Sequence, residues 1–407
     1  MRVSVTFLVL LAGVLACNGN DYQGHKLYRV VPRDQAQVDF LDDLLKTDGE
    51  LDFWAFPVAP MKNVDIHVSP DKRQAFEELL EASDMEFKIV VQDFSSMLAQ
   101  EKVSARSGGF DSDYHSLSEI HAEILALAKA YSSVASNFSL GKSYENRDQL
   151  AIKINKGGSK KNLFFFNCGI HAREWISPAT CMYMIRKILE TGDSDSDVTD
   201  MLDNYEWVIL PVLNVDGYEY TRTKDRMWRK TRTPGTKCVG VDPNRNFNYR
   251  FGVTGTSNNE CSQIYRGKQA FSEKVTYNVA KFLYENRHRL KGYIDFHAYS
   301  QMFLSPWGYT DAKPSNYTEH MKAMTAAVNA LQAVHGTRYV FGPASTTIYP
   351  TAGDTTDWTY GVLGCVHSYC VELRPTGNPP GFILPPAQII PTGQETFAAL
   401  KALVRNM

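Results

Sequence analysis

Two kinds of apolar pattern alternate through residues 116–404. Short continuous apolar runs are typical of buried strands, and apolar residues that recur every three or four positions indicate amphipathic helices. The predicted order is helix Ser116–Tyr131, strands Leu150–Ile154 and Leu163–Phe166, helix Pro178–Leu189, strand Trp207–Leu213, helix Ser272–His288, strand Tyr293–His297, helix His320–Val334, strand Ser368–Leu373 and helix Gln394–Val404. This alternation predicts an α/β fold with a mixed, mostly parallel central sheet and helices on both faces.

A separate pattern occupies the first hundred residues. The predicted elements are strand Leu27–Val31, helix Gln35–Lys46, strands Leu51–Phe56 and Val64–Val68, helix Asp71–Ala82 and strand Phe87–Val91. Strand, helix, strand, strand, helix, strand is the ferredoxin-like order of a small α+β domain. The block has no His or Cys cluster, glycine-rich loop or basic patch. We therefore interpret it as a folded, inhibitory pro-segment and not as a binding module.

The two blocks carry opposite net charge. Residues 17–102 contain 17 acidic and 9 basic side chains, a net charge of −8, and residues 103–407 carry about +5. This asymmetry favours docking of the first block on the second, although two independently solvated surfaces would give the same count. Residues 101–109 predict an exposed linker in which a trypsin-like protease cuts at Lys102 or Arg106. The predicted domains are a pro-segment of residues 17–106 and a larger domain of residues 107–407.

Residues 1–16 predict a secretory signal peptide. Arg2 precedes the apolar core Phe7–Leu11, and small residues lead to a cleavage site after Ala16. No other apolar run has the length of a membrane span. We expect a secreted, extracellular monomer, such as a protein of a digestive lumen, with no membrane contact. A net charge of −2 gives no indication of nucleic-acid binding.

The first candidate chemistry lies just after the strand Leu163–Phe166. His171 and Glu174 form an H-x-x-E pair at the end of this strand. An imidazole and a carboxylate at this spacing can reach one small cation, and two His with one Glu are a known ligand set for catalytic zinc. The alternative is a surface His beside a surface Glu, because the pair is short and common.

The sequence offers one good candidate for the third metal ligand and one for the general base that would activate the metal-bound water. His297 ends the apolar strand Tyr293–His297, whereas His115, His320 and His335 are predicted at the surface. Glu372 lies within the apolar strand Ser368–Leu373, where an unpaired carboxylate is costly to bury. The alternatives are a core histidine without a ligand role and an ion pair between Glu372 and a nearby arginine.

Six segments in order then resemble the zinc procarboxypeptidases of the pancreatic carboxypeptidase A and B family. They are His171–Trp175, Met227–Arg232, Val241–Asn246, Asp295–Tyr299, Ile348–Pro350 and Val371–Arg374. The resemblance covers essentially all of the chain after the signal peptide, and it implies the zinc carboxypeptidase fold.

The resemblance also implies an activity and a role for each matching residue. One Zn²⁺ per chain is held by His171, Glu174 and His297, and Glu372 is the general base for zinc-water attack on the C-terminal peptide bond of a peptide or protein. The further implied roles are oxyanion stabilisation by Arg229, binding of the terminal carboxylate by Asn244, Arg245 and Tyr349, lining of neighbouring subsites by Arg173, Trp175 and Tyr299, and support of His171 by Asp242.

The side-chain pocket and the cysteines leave alternatives. B-type members, which release Lys and Arg, have an acid where this chain has Thr356, so the resemblance favours release of apolar or aromatic residues. Asp354 departs from the family pattern, and a B-type preference for Lys and Arg stays the alternative. The resemblance further implies the disulfides Cys238–Cys261 and Cys168–Cys181. Cys365 and Cys370 are expected to be unpaired, because five extended residues span ~16 Å and a disulfide tolerates only ~6 Å between Cα atoms. Cys370 lies two residues before Glu372 and should face the same side, toward the pocket.

Overall fold

The computed structural model describes residues 22–101, 109–157, 161–377 and 379–407. The predicted signal peptide, Cys17, Lys102 and Arg106 lie outside the described residues. The N-terminal domain contains β1 (Lys26–Val31), α1 (Gln35–Thr47), β2 (Asp52–Ala55), β3 (Val64–Val68), α2 (Arg73–Ala82), β4 (Glu86–Val91) and α3 (Phe94–Glu101). Its strands form an antiparallel sheet in the order β2-β3-β1-β4. The ferredoxin-like order is confirmed, with α3 as an additional helix.

The larger domain is built on an eight-stranded mixed sheet in the order β11-β10-β12-β9-β7-β8-β6-β5. In chain order its elements are α4 (Leu117–Ala130), β5 (Ala135–Lys142), β6 (Asp148–Ile154), β7 (Asn162–Cys168), α5 (Ile176–Thr191), α6 (Ser196–Asn204), β8 (Tyr205–Leu210), α7 (Val215–Thr223), α8 (Lys274–Glu285), β9 (Leu290–Ala298), β10 (Met302–Ser305), α9 (Tyr317–His335), β11 (Val340–Pro343), α10 (Ala344–Thr347), α11 (Thr355–Gly361), β12 (His367–Leu373) and α12 (Ile389–Val404).

Helices cover both faces of this sheet, as the alternation predicts. Phe164 and Phe166 of β7 pack into the core on the side of α5, α9 and α12, whereas Leu163 and Phe165 pack into the core on the side of α8 and α11. Successive side chains of a strand point to opposite faces, so a strand that is buried on both faces is apolar throughout. The continuous apolar run in β7 is therefore a consequence of its central position.

Five of the elements that the sequence did not predict, β5, β10, β11, α10 and α11, share a physical reason, whereas α6 and α7 were missed without one. The edge strand β5 is largely exposed, and β10, β11, α10 and α11 have only four to seven residues each. Short or solvent-facing elements bury too little apolar surface to impose a clear period on the sequence. His320, predicted at the surface, is buried in α9, where its ring bonds to the carbonyl of Val366 at 2.7 Å.

The N-terminal domain docks on the larger domain through apolar and polar contacts. Trp54 and Phe94 belong to the same buried core as Tyr299 of the larger domain. The long loop between α7 and α8 reaches the C-terminal end of α1, where Ser262 Oγ donates to the carbonyl of Leu45 at 2.9 Å. The opposite net charges of the two blocks are thus accompanied by direct contact. Within the described ranges, no helix has both the length and the apolar character needed to cross a bilayer.

Candidate zinc centre and substrate cleft

Three adjacent parallel strands bring the candidate residues to one edge of the sheet. β7 and β12 both pair in parallel with β9, so the carboxyl ends of these strands lie side by side. His171 and Glu174 follow β7, His297 lies near the end of β9, and Glu372 of β12 is the register partner of His297. Sites in α/β sheets form at such strand ends.

The side chains of His171, Glu174 and His297 converge on a single point. Nδ1 of His171 lies 2.8 Å from Oε1 of Glu174, and Nδ1 of His297 lies 3.2 Å from Oε2 of Glu174. The two Nδ1 atoms are 3.1 Å apart. A tetrahedral zinc with bonds of ~2.0–2.1 Å has ligand atoms roughly 3.3 Å apart, so these distances fit the ion.

The hydrogen bonds on the far side of each ring strengthen this fit. Nε2 of His171 lies 3.1 Å from Oδ1 of Asp242, and Nε2 of His297 lies 2.9 Å from Oδ2 of Asp295. If each Nε2–H donates to its carboxylate, the lone pairs of both Nδ1 atoms face each other and the Glu174 carboxylate. Three buried electron-pair donors in this arrangement are suited to a cation. Burial opposes ionisation of Glu174, but the two imidazoles hold its pKa below the ordinary value.

Asp295 is a site residue to which the sequence analysis gave no role. Its Oδ2 faces Nε2 of His297 and also accepts from Thr355 Oγ1 at 2.8 Å, and its Oδ1 accepts from Asn167 at 2.6 Å. A signal was present, because Asp295 lies two residues before His297 on the same strand and therefore on the same face. It orients His297 as Asp242 orients His171.

Asp242 connects the metal-ligand cluster to Arg229. Oδ2 of Asp242 accepts from Nη2 of Arg229 at 2.8 Å, and Nη1 of the same guanidinium lies 3.9 Å from Oε1 of Glu174. Burial would raise the pKa of Asp242, but Arg229 and His171 hold it well below its ordinary value. Nε of Arg229 is buried with no hydrogen-bond partner among the described residues. A positive donor group is therefore fixed beside the cluster.

Glu372 stands next to this cluster with its carboxyl group on the wall of the cleft. It is 9% exposed and lines both the inner pocket and the outer cleft described below. Burial raises the pKa of Glu372 to about 8. A carboxyl group whose pKa lies near neutrality can exchange a proton during catalysis.

An inner pocket of about 40 Å³ opens beside the ligand cluster. Nη2 of Arg245 is buried with no hydrogen-bond partner among the described residues, while its Nε and Nη1 donate to the carbonyls of Gly255 and Asn244. Nδ2 of Asn244 lies 3.3 Å from His297 Nε2. The pocket is lined by His171, Asn244, Arg245, His297, Leu304, Ala344, Ile348, Tyr349, Thr351, Asp354, Thr356, Cys370 and Glu372.

An outer cleft of about 480 Å³ lies between the two domains. Arg173 and Tyr299 line it together with Arg29 and Asp65 of the N-terminal domain. Trp175 does not. Its ring lies in the buried core beneath the guanidinium of Arg226, 3.7 Å away, because the residue directly precedes α5 and its side chain points away from the cleft. The expected subsite role of Trp175 is therefore wrong.

The cysteines of the described residues form two disulfides and leave two thiols. Cys168 is bonded to Cys181, which joins the end of β7 to α5, and Cys238 is bonded to Cys261. These are the pairs that the resemblance implies. Cys365 and Cys370 are free, and Cys370 lines the inner pocket.

The chain matches two family profiles that together span most of its length. The profile described as zinc carboxypeptidase matches residues 120–399, and the profile described as carboxypeptidase activation peptide matches residues 28–101. The first match contains the ligand cluster, Arg229, Arg245 and Glu372. The second corresponds to the ferredoxin-like domain.

Similar proteins include both A-type and B-type enzymes. The chain is 37% identical to carboxypeptidase B of Rattus norvegicus over 404 residues, covering 97% of each chain. It is also 37% identical to carboxypeptidase A1 of Sus scrofa over 412 residues, covering 98% of this chain and 97% of that one. The crystal structure of thrombin activatable fibrinolysis inhibitor superposes with a TM-score of 0.85 at 33% identity, covering 94% of this chain and 98% of that one. The chain belongs to the zinc carboxypeptidase family and carries the family's activation peptide.

Proposed function

We propose that this chain is the secreted zymogen of an exopeptidase that releases one residue from the C-terminus of a peptide or protein. The observation that carries the proposal is the arrangement of His171, Glu174 and His297 beside a buried carboxyl group, Glu372, and the guanidinium of Arg229. His171, Glu174 and His297 hold one zinc ion. When bound, zinc supplies a Lewis acid and lowers the pKa of coordinated water toward ~7.

Two charged side chains assist cleavage of the peptide bond: one transfers a proton, and the other stabilises the developing negative charge. Glu372 accepts the proton of the attacking water and later delivers it to the departing amine. Nε of Arg229, which has no hydrogen-bond partner among the described residues, donates to the developing oxyanion, and a donor in this role contributes ~3 kcal/mol. Asp242 holds the guanidinium in place, so the donor needs no reorientation during the reaction.

Selection of a free C-terminus rests on the inner pocket. Nη2 of Arg245 has no hydrogen-bond partner within residues 22–101, 109–157, 161–377 and 379–407, so it is available to a carboxylate, which a guanidinium binds through parallel hydrogen bonds. Asn244 contributes its amide N–H beside it. Tyr349 lines both the pocket and the cleft and covers the bound carboxylate when the site closes.

The N-terminal domain inhibits the enzyme by occupying its cleft. Both carboxylate oxygens of Asp52 lie within 2.8 Å of Nη1 of Arg173, which would otherwise contact substrate. The ring of Phe56 contacts the ring of Tyr349, with centroids 4.6 Å apart. A trypsin-like protease cuts at Lys102 or Arg106 and releases the larger domain as an active monomer into the extracellular medium.

The side chain of the released residue is apolar or aromatic. Leu304, Ala344, Ile348 and Thr356 give the pocket a neutral, mostly small lining. A basic preference is the second candidate, and the observation in its favour is the carboxylate of Asp354 on the same pocket wall.

Two measurements test the proposal. After trypsin treatment and trypsin inhibition, EDTA should abolish hydrolysis of a blocked dipeptide and zinc should restore it, with trypsin alone as the control. Undiminished activity in EDTA would exclude the metal mechanism. The ratio of kcat/KM for substrates that end in Phe and in Arg tests the side-chain preference, and faster release of Arg would reverse it.

A further inference from the structure

We propose that Asn137 on strand β5 is a site of N-glycosylation, and that its glycan covers the open edge of the eight-stranded sheet. The acceptor sequence for an N-linked glycan is Asn-x-Ser/Thr, and residues 137–139 and 316–318 both have it. The inference rests on the secretory route of the proposed function, because the transferase acts on chains that enter this route. It adds a modification outside the catalytic site.

Strand β5 forms an open edge of the sheet. It pairs with β6 on one side and ends the strand order, so no other described strand lies on its far side. The backbone N–H and C=O groups on the far side of an edge strand can pair with a strand of another molecule. Natural proteins therefore protect such edges against association.

The sequence of β5 offers little other protection along its regular part. Residues 135–139 pair one to one with β6 and contain neither a charged residue nor a proline. A register shift interrupts the pairing only between Ser139 and Lys142. The opposite edge strand, β11, has only four residues and ends in Pro343. Asn137 is thus the middle residue of the one long stretch of edge that lacks a charge or a proline in this sheet.

The side chain of Asn137 is accessible to a large substituent. The residue is exposed, and its amide forms no hydrogen bond with the described residues. Phe138 and Leu140 turn to the other face of the strand, where they pack against the core beside α8. Asn316 differs, because it is half-buried and its Oδ1 accepts from the hydroxyl of Tyr360 at 3.1 Å. Asn137 is therefore the better placed of the two acceptors.

The modification replaces one N–H bond of the Asn137 amide with a bond to a sugar. Nδ2 attacks the anomeric carbon of an oligosaccharide that is linked to a polyprenyl diphosphate. The C–N bond forms while the C–O bond to the diphosphate breaks, the polyprenyl diphosphate leaves with the electron pair, and Nδ2 loses a proton. Transfer occurs on the extended chain before β5 pairs with β6, and the bulky, polar product then stays at the surface.

The glycan should not affect catalysis. β5 lies three strands away from β7, and neighbouring strands are ~4.8 Å apart, so about 14 Å separate these two strands. The candidate zinc ligands follow or end β7 and β9, on the far side of that distance. Loss of the glycan is expected to change the association of the protein with itself and to leave kcat/KM unchanged.

Mass spectrometry of the full chain secreted by mammalian cells locates the glycan. Peptide N-glycosidase in heavy-oxygen water converts a glycan-bearing Asn in the digested protein into labelled Asp. We expect the label at Asn137 in the wild type and in Ser139→Thr, which keeps the acceptor sequence, and no label there in Ser139→Ala. An unlabelled residue 137 in the secreted wild-type protein would overturn the proposal.

Two substitutions at residue 137 test the role of the glycan at the edge. Asn137→Gln removes the glycan and leaves the edge uncharged, whereas Asn137→Lys removes the glycan and places a charge on the edge, as natural edge strands do. On warming below the Tm, light scattering should show severalfold faster aggregation of Asn137→Gln than of the wild type, Asn137→Lys and the matched control Asn316→Gln. Aggregation of Asn137→Gln at the wild-type rate, or equally fast aggregation of Asn137→Lys, would overturn the edge role.

The proposed function and this inference fail in different ways. Absence of zinc-dependent hydrolysis in a protein that carries the glycan at Asn137 would contradict the exopeptidase alone. Full activity in a secreted protein without that glycan would contradict this inference alone. If Asn137→Gln fails to fold, trimming the glycan of the native wild-type protein to its first sugar with an endoglycosidase takes its place in the aggregation assay.

Discussion

The contact between Glu101 and Arg226 should control how fast the cleaved pro-segment leaves the enzyme. Glu101 is the last residue of α3, and its carboxylate accepts from Nε and Nη2 of Arg226 at 2.7 and 2.6 Å. The two side chains are only 3% and 7% exposed. The same guanidinium donates to the carbonyls of Arg173 and Phe382 at 2.7 and 2.9 Å. The end of the pro-segment is thus anchored beside the candidate zinc ligands.

The change to test is Glu101→Gln, which preserves the shape of the side chain and removes its charge. Loss of one partner of a buried, hydrogen-bonded charge pair costs about 2–5 kcal/mol, mostly through faster dissociation. Because Gln can still accept one hydrogen bond, the low end of this range applies. About 2–3 kcal/mol corresponds to dissociation that is roughly 30-fold to 150-fold faster.

The assay follows enzyme activity after trypsin cleavage has been stopped with an inhibitor. The delay between complete cleavage and full activity reports dissociation of the pro-segment, and it should shorten in Glu101→Gln. Glu50→Gln is the matched control, because Glu50 pairs with Lys72 at the surface, where ion pairs contribute ~0–1 kcal/mol. An unchanged delay in a correctly folded Glu101→Gln zymogen would refute the reasoning.

Three further changes test the site and the fold. Glu372→Gln should lower kcat/KM by ~10²–10⁴-fold while one zinc per chain remains bound, and normal turnover would remove Glu372 as the base. Asp295→Asn should weaken zinc binding by ~10–100-fold in competition with a chelator, because His297 loses its charged partner; an unchanged affinity would contradict that role. Burial lowers the pKa of His367 to about 4, so the unfolded chain binds the proton more readily and stability falls as pH decreases from ~6.5 to about 4. His367→Gln should flatten this part of a Tm–pH profile, and equal slopes in both proteins would show that His367 does not contribute.

The sequence predicted secondary structure best in long segments whose own apolar pattern shows which residues are buried. The apolar run of β7 and the periodic helices α5 and α9 were recognisable because each is long and buried. By themselves, His171 and Glu174 were weak evidence for a metal site. They became a specific prediction when five further segments matched one family in order.

The sequence did not show in which direction individual side chains point, and this led to the wrong role for Trp175 and to no role for Asp295. Trp175 directly follows Glu174, yet the turn into α5 sends its ring into the core and the Glu174 carboxylate into the site. Asp295 was quoted in a matching segment without a role, because its bond to His297 depends on the shared face of β9. Neighbours in sequence separate in space when the chain changes from strand to helix.

By itself, the sequence determined the two-block organisation, the α/β class and the family to which the chain belongs. These follow from apolar periodicity and from ordered motifs, which are local properties of the chain. Tertiary structure alone decided that β7, β9 and β12 are neighbours and that Asp52 and Glu101 reach Arg173 and Arg226. These contacts join residues far apart in sequence, and their geometry depends on how the sheet and the two domains pack together.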